Sequence, residues 1–187
     1  MDIIKGKVIV LGDDVDTDQI LPGYAMAEPM DQLGKFAMAG LAGLDFKSVF
    51  EPGSILVAGR NFGCGSSREQ APIALRQVGV SLVIAKGFAR IFRRNSINIG
   101  LPVWAADVAD SLHTGDIIEA DLEKGTVTVN GEVKQFAPLA ANVLKTLEYG
   151  GLEFTVLEVE DRRVGKVKCT RAPELNPEND DDEEEDA

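Results

Sequence analysis

Short apolar runs separated by glycine-rich and polar breaks set the rhythm of this chain. Residues 3–11 (IIKGKVIVL) read as a strand that Gly12-Asp13-Asp14 ends, followed by a loop carrying Asp16, Thr17 and Asp18 before Ile20-Leu21-Pro22. Between Met30 and Leu41 the apolar residues Leu33, Phe36, Ala37 and Leu41 have helical spacing, interrupted by Gly34 and Gly40. Residues 54–58 (SILVA) form a buried-strand pattern, then come Gly59-Arg60-Asn61-Phe62-Gly63-Cys64-Gly65 and a helical segment to Gln77. Strand patterns return at 80–85 (VSLVIA) and 101–104 (LPVW), with a helical turn or short helix over Phe88–Arg94 between them. This alternation predicts an α/β core with partly parallel pairing. Farther on, Gly125–Phe136 alternates around Asn130-Gly131 and predicts a β-hairpin. A helix over 138–149 stopped by Gly150-Gly151, and a last strand at 152–159, complete the reading.

Composition narrows the class. With 187 residues and 44% hydrophobic content, the chain suits one core, with or without a small lobe. We expect a single domain over 1–170 and a disordered acidic tail over 171–187. The formal charge of −12 comes mostly from that tail, where nine of the 31 acids fall in the last fourteen residues. The remainder carries 22 acids against 19 bases, with no basic stripe, which speaks against nucleic acid as a partner. No leader pattern and no window of eighteen apolar residues is present, so a cytoplasmic protein without membrane insertion is expected. The chain has only Cys64, Cys169 and His113 as soft or imidazole ligands, too few for a metal cluster or a histidine triad of its own.

The stretch Gly63-Cys64-Gly65-Ser66-Ser67-Arg68-Glu69 carries the clearest chemistry. Its glycines let the backbone approach a ligand, and a helix start offers free N–H groups to an anion. It is neither a Walker loop nor a dinucleotide fingerprint. Ser66-x-x-Glu69 also matches a capping box, which requires no function. Pro72 would then fall at the sixth helical position, so either the helix starts nearer Pro72 or its first turn is irregular. Arg60, Arg68, Arg90, Arg93 and Arg94 lie within 35 residues. Arginine forks match carboxylates, which points to an acidic substrate, although Arg93 and Arg94 also read as solvated helix charges. Asp16 and Asp18 either orient a base or a histidine of another chain, or are ordinary turn acids.

Three segments, GDDVDTDQILPG at 12–23, GRNFGCGSSREQAPIAL at 59–75 and AKGFARIFRRNSINIGLP at 85–102, together resemble the small subunits of isopropylmalate isomerases and the C-terminal swivel domain of aconitases. The resemblance spans about Lys7 to Trp104. It implies an α/β fold, a swivelling three-layer β/β/α domain with a mixed sheet. It also implies a partner large subunit holding a [4Fe–4S] cluster, in a heterodimer or heterotetramer, while this chain binds no cofactor or metal. The implied activity is a hydro-lyase acting on a small 2-hydroxy diacid, interconverting 2- and 3-isopropylmalate in leucine biosynthesis. By the family pattern Ser66 is the base, Ser67 and Arg68 bind a substrate carboxylate, and Asp18 supports the base or a partner histidine. A serine is a poor base unless N–H dipoles and a cation stabilise its alkoxide, which the glycine loop and Arg68 are placed to do. Cys64 is not a cluster ligand in the family. Two departures stand out. Relatives often carry histidine where this chain has Gln70. The loop Gly23-Tyr24-Ala25-Met26-Ala27 has no arginine for a distal carboxylate, so Tyr24, Ala25 and Met26 are expected to meet an apolar substituent. That favours isopropylmalate over homocitrate or citrate and leaves citraconate, methylmalate and dimethylmalate open. A related diacid dehydratase or a non-catalytic anion-binding regulatory module are the alternatives.

Overall fold

A computed structural model of the chain describes residues 3–138, 146–149, 152–160 and 163–171. Backbone contacts gather the chain into two units, 1–144 and 145–187.

The first unit is built on a seven-stranded mixed sheet in the order β4-β3-β2-β1-β5-β6-β7. Its parallel half consists of β1 (Ile4–Val10), β2 (Ile55–Ala58), β3 (Leu82–Ala85) and β4 (Val103–Ala105). The antiparallel half adds β5 (Ile117–Asp121), β6 (Thr126–Val129) and β7 (Glu132–Gln135). Strand β1 joins the halves by dividing its length: Val8–Val10 pair with β2, and Ile4–Lys7 pair with β5. The α/β class and mixed sheet are as the sequence predicts.

Every residue of β2 and β3 is buried, because both faces of the parallel half are covered. Leu56, Ala58, Val83 and Ala85 face one cluster, shared with Leu75 of the helix α3 (Gln70–Val78) and Phe92 of α4 (Arg90–Asn98). Ile55, Val57, Leu82, Ile84 and Trp104 face a second cluster, shared with Ile118, Ala120, Val127 and Val129 of the antiparallel half. Period-two alternation of apolar residues on both faces thus yields three layers, β on β on α. The hairpin of β6 and β7 turns at Asn130 (φ 49°) and Gly131 (φ 85°), two consecutive left-handed residues that match the right-handed strand twist.

Several elements differ from the sequence reading. Asp16–Asp18 is not a plain loop: Thr17–Ile20 forms a one-turn helix, α1. Over Met30–Leu41 only a 3-10 helix forms, at Met30–Phe36. Its Gly34 lies against Gln77 of α3, and Gly40, beyond it, lies against the carbonyl of Asp18, approaches that leave no room for a Cβ. A further one-turn helix, Phe46–Val49, precedes β2. Strand β5 was not foreseen.

The second unit holds a three-stranded antiparallel sheet, β8 (Thr146–Tyr149), β9 (Leu152–Glu160) and β10 (Arg163–Arg171), in the order β10-β9-β8. Thr146–Tyr149 is therefore strand, not the C-terminal end of the helix expected over 138–149; residues 139–145 of that helix lie outside the described residues. Tyr149 pairs with Leu152, so the Gly-Gly pair separates two hydrogen-bonded strands instead of stopping a helix. Strand β10 was missed because its alternation is broken by register shifts on either side of Lys166. The acidic tail expected over 171–187 lies outside the described residues beyond Arg171.

Candidate functional site

The three motif segments meet at one place. The glycine loop after β2 runs between the stretch before α1 and the stretch before α4, and both sides pin it. Gly63 N–H donates to the Val15 carbonyl at 2.7 Å, and Thr17 N–H donates to the Cys64 carbonyl at 2.9 Å. On the other side, Phe62 N–H donates to Gly87 and Ala89 N–H donates to Phe62, each at 3.0 Å. Gly63 has φ 79°, and a Cβ there would run into the ring of Phe92. Phe92 in turn packs edge-on against Phe62 at 5.2 Å, so a small aromatic cluster forms the floor beneath the loop.

Ser66 is not a helix cap. Helix α3 starts at Gln70, next to Pro72, and no side chain caps it. The capping box of this region is Asp16 with Gln19: Gln19 N–H donates to Asp16 Oδ1 at 2.7 Å, and Asp16 N–H donates to Gln19 Oε1 at 2.9 Å. This fixes α1 and presents Thr17 and Asp18 toward the serine loop. Buried Thr17 donates its hydroxyl to the Ser66 carbonyl at 3.1 Å, a contact that sequence reasoning missed although Thr17 sits between the two noticed aspartates. The same carbonyl accepts the Arg68 N–H at 2.7 Å. The backbone of Ser66 is thus held while the hydroxyls of Ser66 and Ser67 are exposed, without a hydrogen-bond partner among the described residues.

Arg68 is anchored with its side chain largely covered, unlike the exposed Arg60. Its Nη1 donates to Asp18 Oδ1 at 2.5 Å and to the Leu21 carbonyl at 3.0 Å, and its side chain is only 17% exposed. Its Nε and Nη2 have no partner among the described residues, which leaves one edge of the guanidinium open for a carboxylate. Ser66, Ser67, Arg68 and Arg90 line one pocket of about 200 Å³, with Ile91 and Phe92 giving it apolar wall.

Asp18 does not line that pocket; it acts on it through Arg68. Tyr24, Ala25 and Met26 do not line it either. They lie in a 3-10 turn, Gly23–Ala27, tied to the site by the Leu21 carbonyl and by Gly23, whose Cβ position is 3.8 Å from Asp18 Oδ1. Ala25 is fully buried in the core, which turns its methyl away from any ligand. Tyr24 (67% exposed) and Met26 (38%) are the two large side chains of this turn that face outward.

The other arginines separate. Arg60 spends its fork on Asp13, through Nε at 3.1 Å and Nη2 at 2.8 Å, while its backbone N–H reaches the other oxygen at 2.7 Å. These bonds, the backbone one foremost, hold the Asp13 carboxyl below its ordinary value of 3.8. Arg60 is therefore a loop brace. Arg93 and Arg94 lie in an adjacent groove with Phe88 and Ile97 and share Arg90 with it.

Cys64 is half-buried, and burial first, then the charges of Asp16 and Asp14, push its thiol up in pKa. It is suited neither to a thiolate nucleophile nor to a thiolate ligand. Among the described residues no three His, Cys, Asp or Glu side chains gather to hold a metal ion, and no helix is long and apolar enough to cross a membrane.

Comparison with known proteins gives these features a family. Residues 44–106 match the aconitase C-terminal domain. The chain is 46% identical over 155 residues to the 3-isopropylmalate dehydratase small subunit 1 of Methanopyrus kandleri, covering 81% of this chain and 91% of that one. It is 49% identical over 154 residues to the methanogen homoaconitase small subunit of Methanothermobacter thermautotrophicus, covering 80% and 88%. The crystal structure of 3-isopropylmalate dehydratase from Methanocaldococcus jannaschii superposes with a TM-score of 0.67 at 42% identity, covering 76% of this chain and 88% of that one. With its serine–arginine loop set on an aconitase C-terminal-like fold, the chain belongs to the small-subunit family of the 3-isopropylmalate dehydratases, hydro-lyases of the aconitase superfamily.

Proposed function

We propose that this chain is the small subunit of a heteromeric hydro-lyase that interconverts 2- and 3-isopropylmalate by dehydration and rehydration, in leucine biosynthesis. The observation that carries the reading is the pocket that groups Ser66, Ser67 and Arg68, with Asp18 and the Leu21 carbonyl holding the arginine from behind.

In this reading the open edge of Arg68 and the Ser67 hydroxyl take one carboxylate of the diacid, which sets the neighbouring carbon against Ser66 Oγ. Ser66, as the alkoxide, removes the proton from that carbon. The electron pair of the broken C–H bond forms the C=C bond as the C–O bond to the adjacent hydroxyl breaks. Rehydration with the positions of proton and hydroxyl exchanged gives the isomer. The positive charge of Arg68 and the N–H dipoles of the glycine loop lower the cost of the alkoxide.

The departing hydroxyl calls for a Lewis acid, and the donor set of this chain does not fit one: its two cysteines are Cys64, held as the thiol, and Cys169 on β10 of the other unit. The reading therefore assigns a [4Fe–4S] cluster to a large subunit and the active enzyme to a heterodimer or heterotetramer. Substrate choice follows from the turn at Tyr24–Met26. It offers no cation to a distal carboxylate, whereas an isopropyl group suits the outward Met26 and Tyr24.

The test is to co-express the chain with a cluster-bearing large subunit, reconstitute it anaerobically, and follow the absorbance of the unsaturated acid from isopropylmalate, homocitrate and methylmalate. Turnover of isopropylmalate with none of homocitrate is the expected result. Turnover of homocitrate alone would overturn the specificity reading, and turnover of none would overturn the reaction.

A further inference from the structure

Helix α4 turns outward a basic face that nothing among the described residues neutralises. Arg90, Arg93 and Arg94 are exposed and have no hydrogen-bond or ion-pair partner among the described residues, unlike Arg60, held by Asp13, and Lys86, held by Asp107 and Asp110. From Gln70 to Ala106 the sequence contains no Asp or Glu, so α3, β3, α4 and β4 bring no acid to meet them. Arg93 and Arg94 follow Arg90 by three and four residues, the spacing at which like charges on a helix repel. The arrangement therefore works against the stability of α4, and an acid from outside the chain relieves it.

The same arginines border a groove of about 460 Å³ lined by Phe88 and Ile97, both half-buried. Arginine beside aromatic and aliphatic carbon, with no lysine, is the composition of a protein–protein contact. The groove also continues the surface of the serine site. Arg90 lines both, and Phe88 stacks on Phe92 at 6.5 Å and meets Phe62 edge-on at 6.1 Å, within the aromatic floor of the serine loop. A stable interface covers about 800 Å² on each partner, far more than the mouth of the serine pocket, so a chain that closes over Ser66 must spread onto the surface beside it.

We propose that the outer face of α4 is a docking surface for the cluster-bearing large subunit, which lays an acidic segment with an apolar side chain into this groove; this rests on the two-subunit reading above. Carboxylates of that segment pair with Arg93 and Arg94, and its apolar side chain seats on Phe88 and Ile97. The contact anchors the partner beside the pocket without touching the substrate.

The experiment measures the affinity of the full chain for a reconstituted large subunit by calorimetry at several salt concentrations, for wild type, Arg93→Glu, Arg94→Glu and Lys134→Glu. Lys134 lies on β7, at the opposite edge of the sheet from β4. Each arginine reversal is expected to weaken association by about tenfold or more and to flatten its salt dependence, whereas Lys134→Glu leaves both unchanged. Neither Arg93 nor Arg94 lines the serine pocket, so with the large subunit in saturating excess both variants should keep wild-type kcat and wild-type binding of isopropylsuccinate, the substrate skeleton without its hydroxyl. A thermal melt shows that each variant is folded, and the milder Arg93→Gln, with a smaller loss of affinity, serves where a reversal is not. Wild-type affinity in the arginine variants overturns the proposal. So does unchanged affinity with a lower kcat at saturation, which would give these arginines a role in the site, or loss of self-association of the isolated chain alone, which would make the face an interface between copies. A wild-type chain that binds no large subunit overturns the two-subunit reading itself.

Discussion

Arg68 and Asp18, fifty positions apart in sequence, are joined through Nη1 and Oδ1 at 2.5 Å, and the same Nη1 reaches the Leu21 carbonyl at the head of the Tyr24–Met26 turn. One guanidinium thus links the serine loop, α1 and the turn. Asp18 is 58% exposed, so solvent screens the pair and its contribution to stability is about 1 kcal/mol or less. Its effect on the orientation of Arg68 is larger. Asp18→Asn is expected to leave the melting temperature nearly unchanged while kcat/KM falls about tenfold or more, as for loss of a charged hydrogen bond. Steady-state kinetics beside a thermal melt checks the contrast.

Gly63 ties the site to the core. Its φ of 79° and the ring of Phe92 beside it exclude a side chain. Gly63→Ala is expected to lose about 1–2 kcal/mol for the left-handed backbone alone, with the clash against Phe92 adding to it. A fall of several degrees in the melting temperature, together with lost activity, would be seen by calorimetry and kinetics.

The brace between Asp13 and Arg60 predicts an acid limb. The carboxyl of Asp13 is depressed in the folded chain, so its contribution is complete above the unfolded value near 3.8 and is lost as pH falls through the lowered folded value. Melting temperatures from pH 5 downward should converge between wild type and Asp13→Asn at the acid end and separate, with wild type higher, as pH rises past 3.8.

Cys64 lies within the motif yet is held as a thiol by burial and by the neighbouring Asp16 and Asp14. Cys64→Ser is expected to keep near wild-type turnover, and alkylation at neutral pH should mark the exposed Cys169 before Cys64. An inactive Cys64→Ser complex with an unchanged melting temperature would give the thiol a chemical role.

Much of the parallel half was legible in the sequence, because residues 54–58, 80–85 and 101–104 are apolar on both faces and punctuated by glycine-rich breaks. The hairpin at Asn130-Gly131 was legible for a local reason, two residues that accept positive φ. What failed was decided by tertiary partners. Thr146–Tyr149 has helical spacing with the residues before it, yet pairing with β9 makes it strand. The bulged register near Lys166 hid β10.

In the site, the glycines and the Ser66-Ser67-Arg68 run marked the loop, and Pro72 correctly set the start of α3 later than a Ser66 cap requires. Sequence spacing had no means of telling that Asp16 caps α1 while Asp18 anchors Arg68. Nor did it reveal that Ala25 points into the core between two outward neighbours, or that Arg60 is consumed by Asp13 while Arg90 is left facing the pocket.

The most direct test of the central claim is Ser66→Ala in the reconstituted two-subunit complex, with turnover of isopropylmalate and calorimetric binding of isopropylsuccinate measured on the same preparation. If Ser66 is the base, kcat falls by about 10²–10⁴ while diacid binding stays close to wild type. Full turnover by the Ser66→Ala complex would contradict it, and would leave this loop as a carboxylate-binding element whose base lies elsewhere.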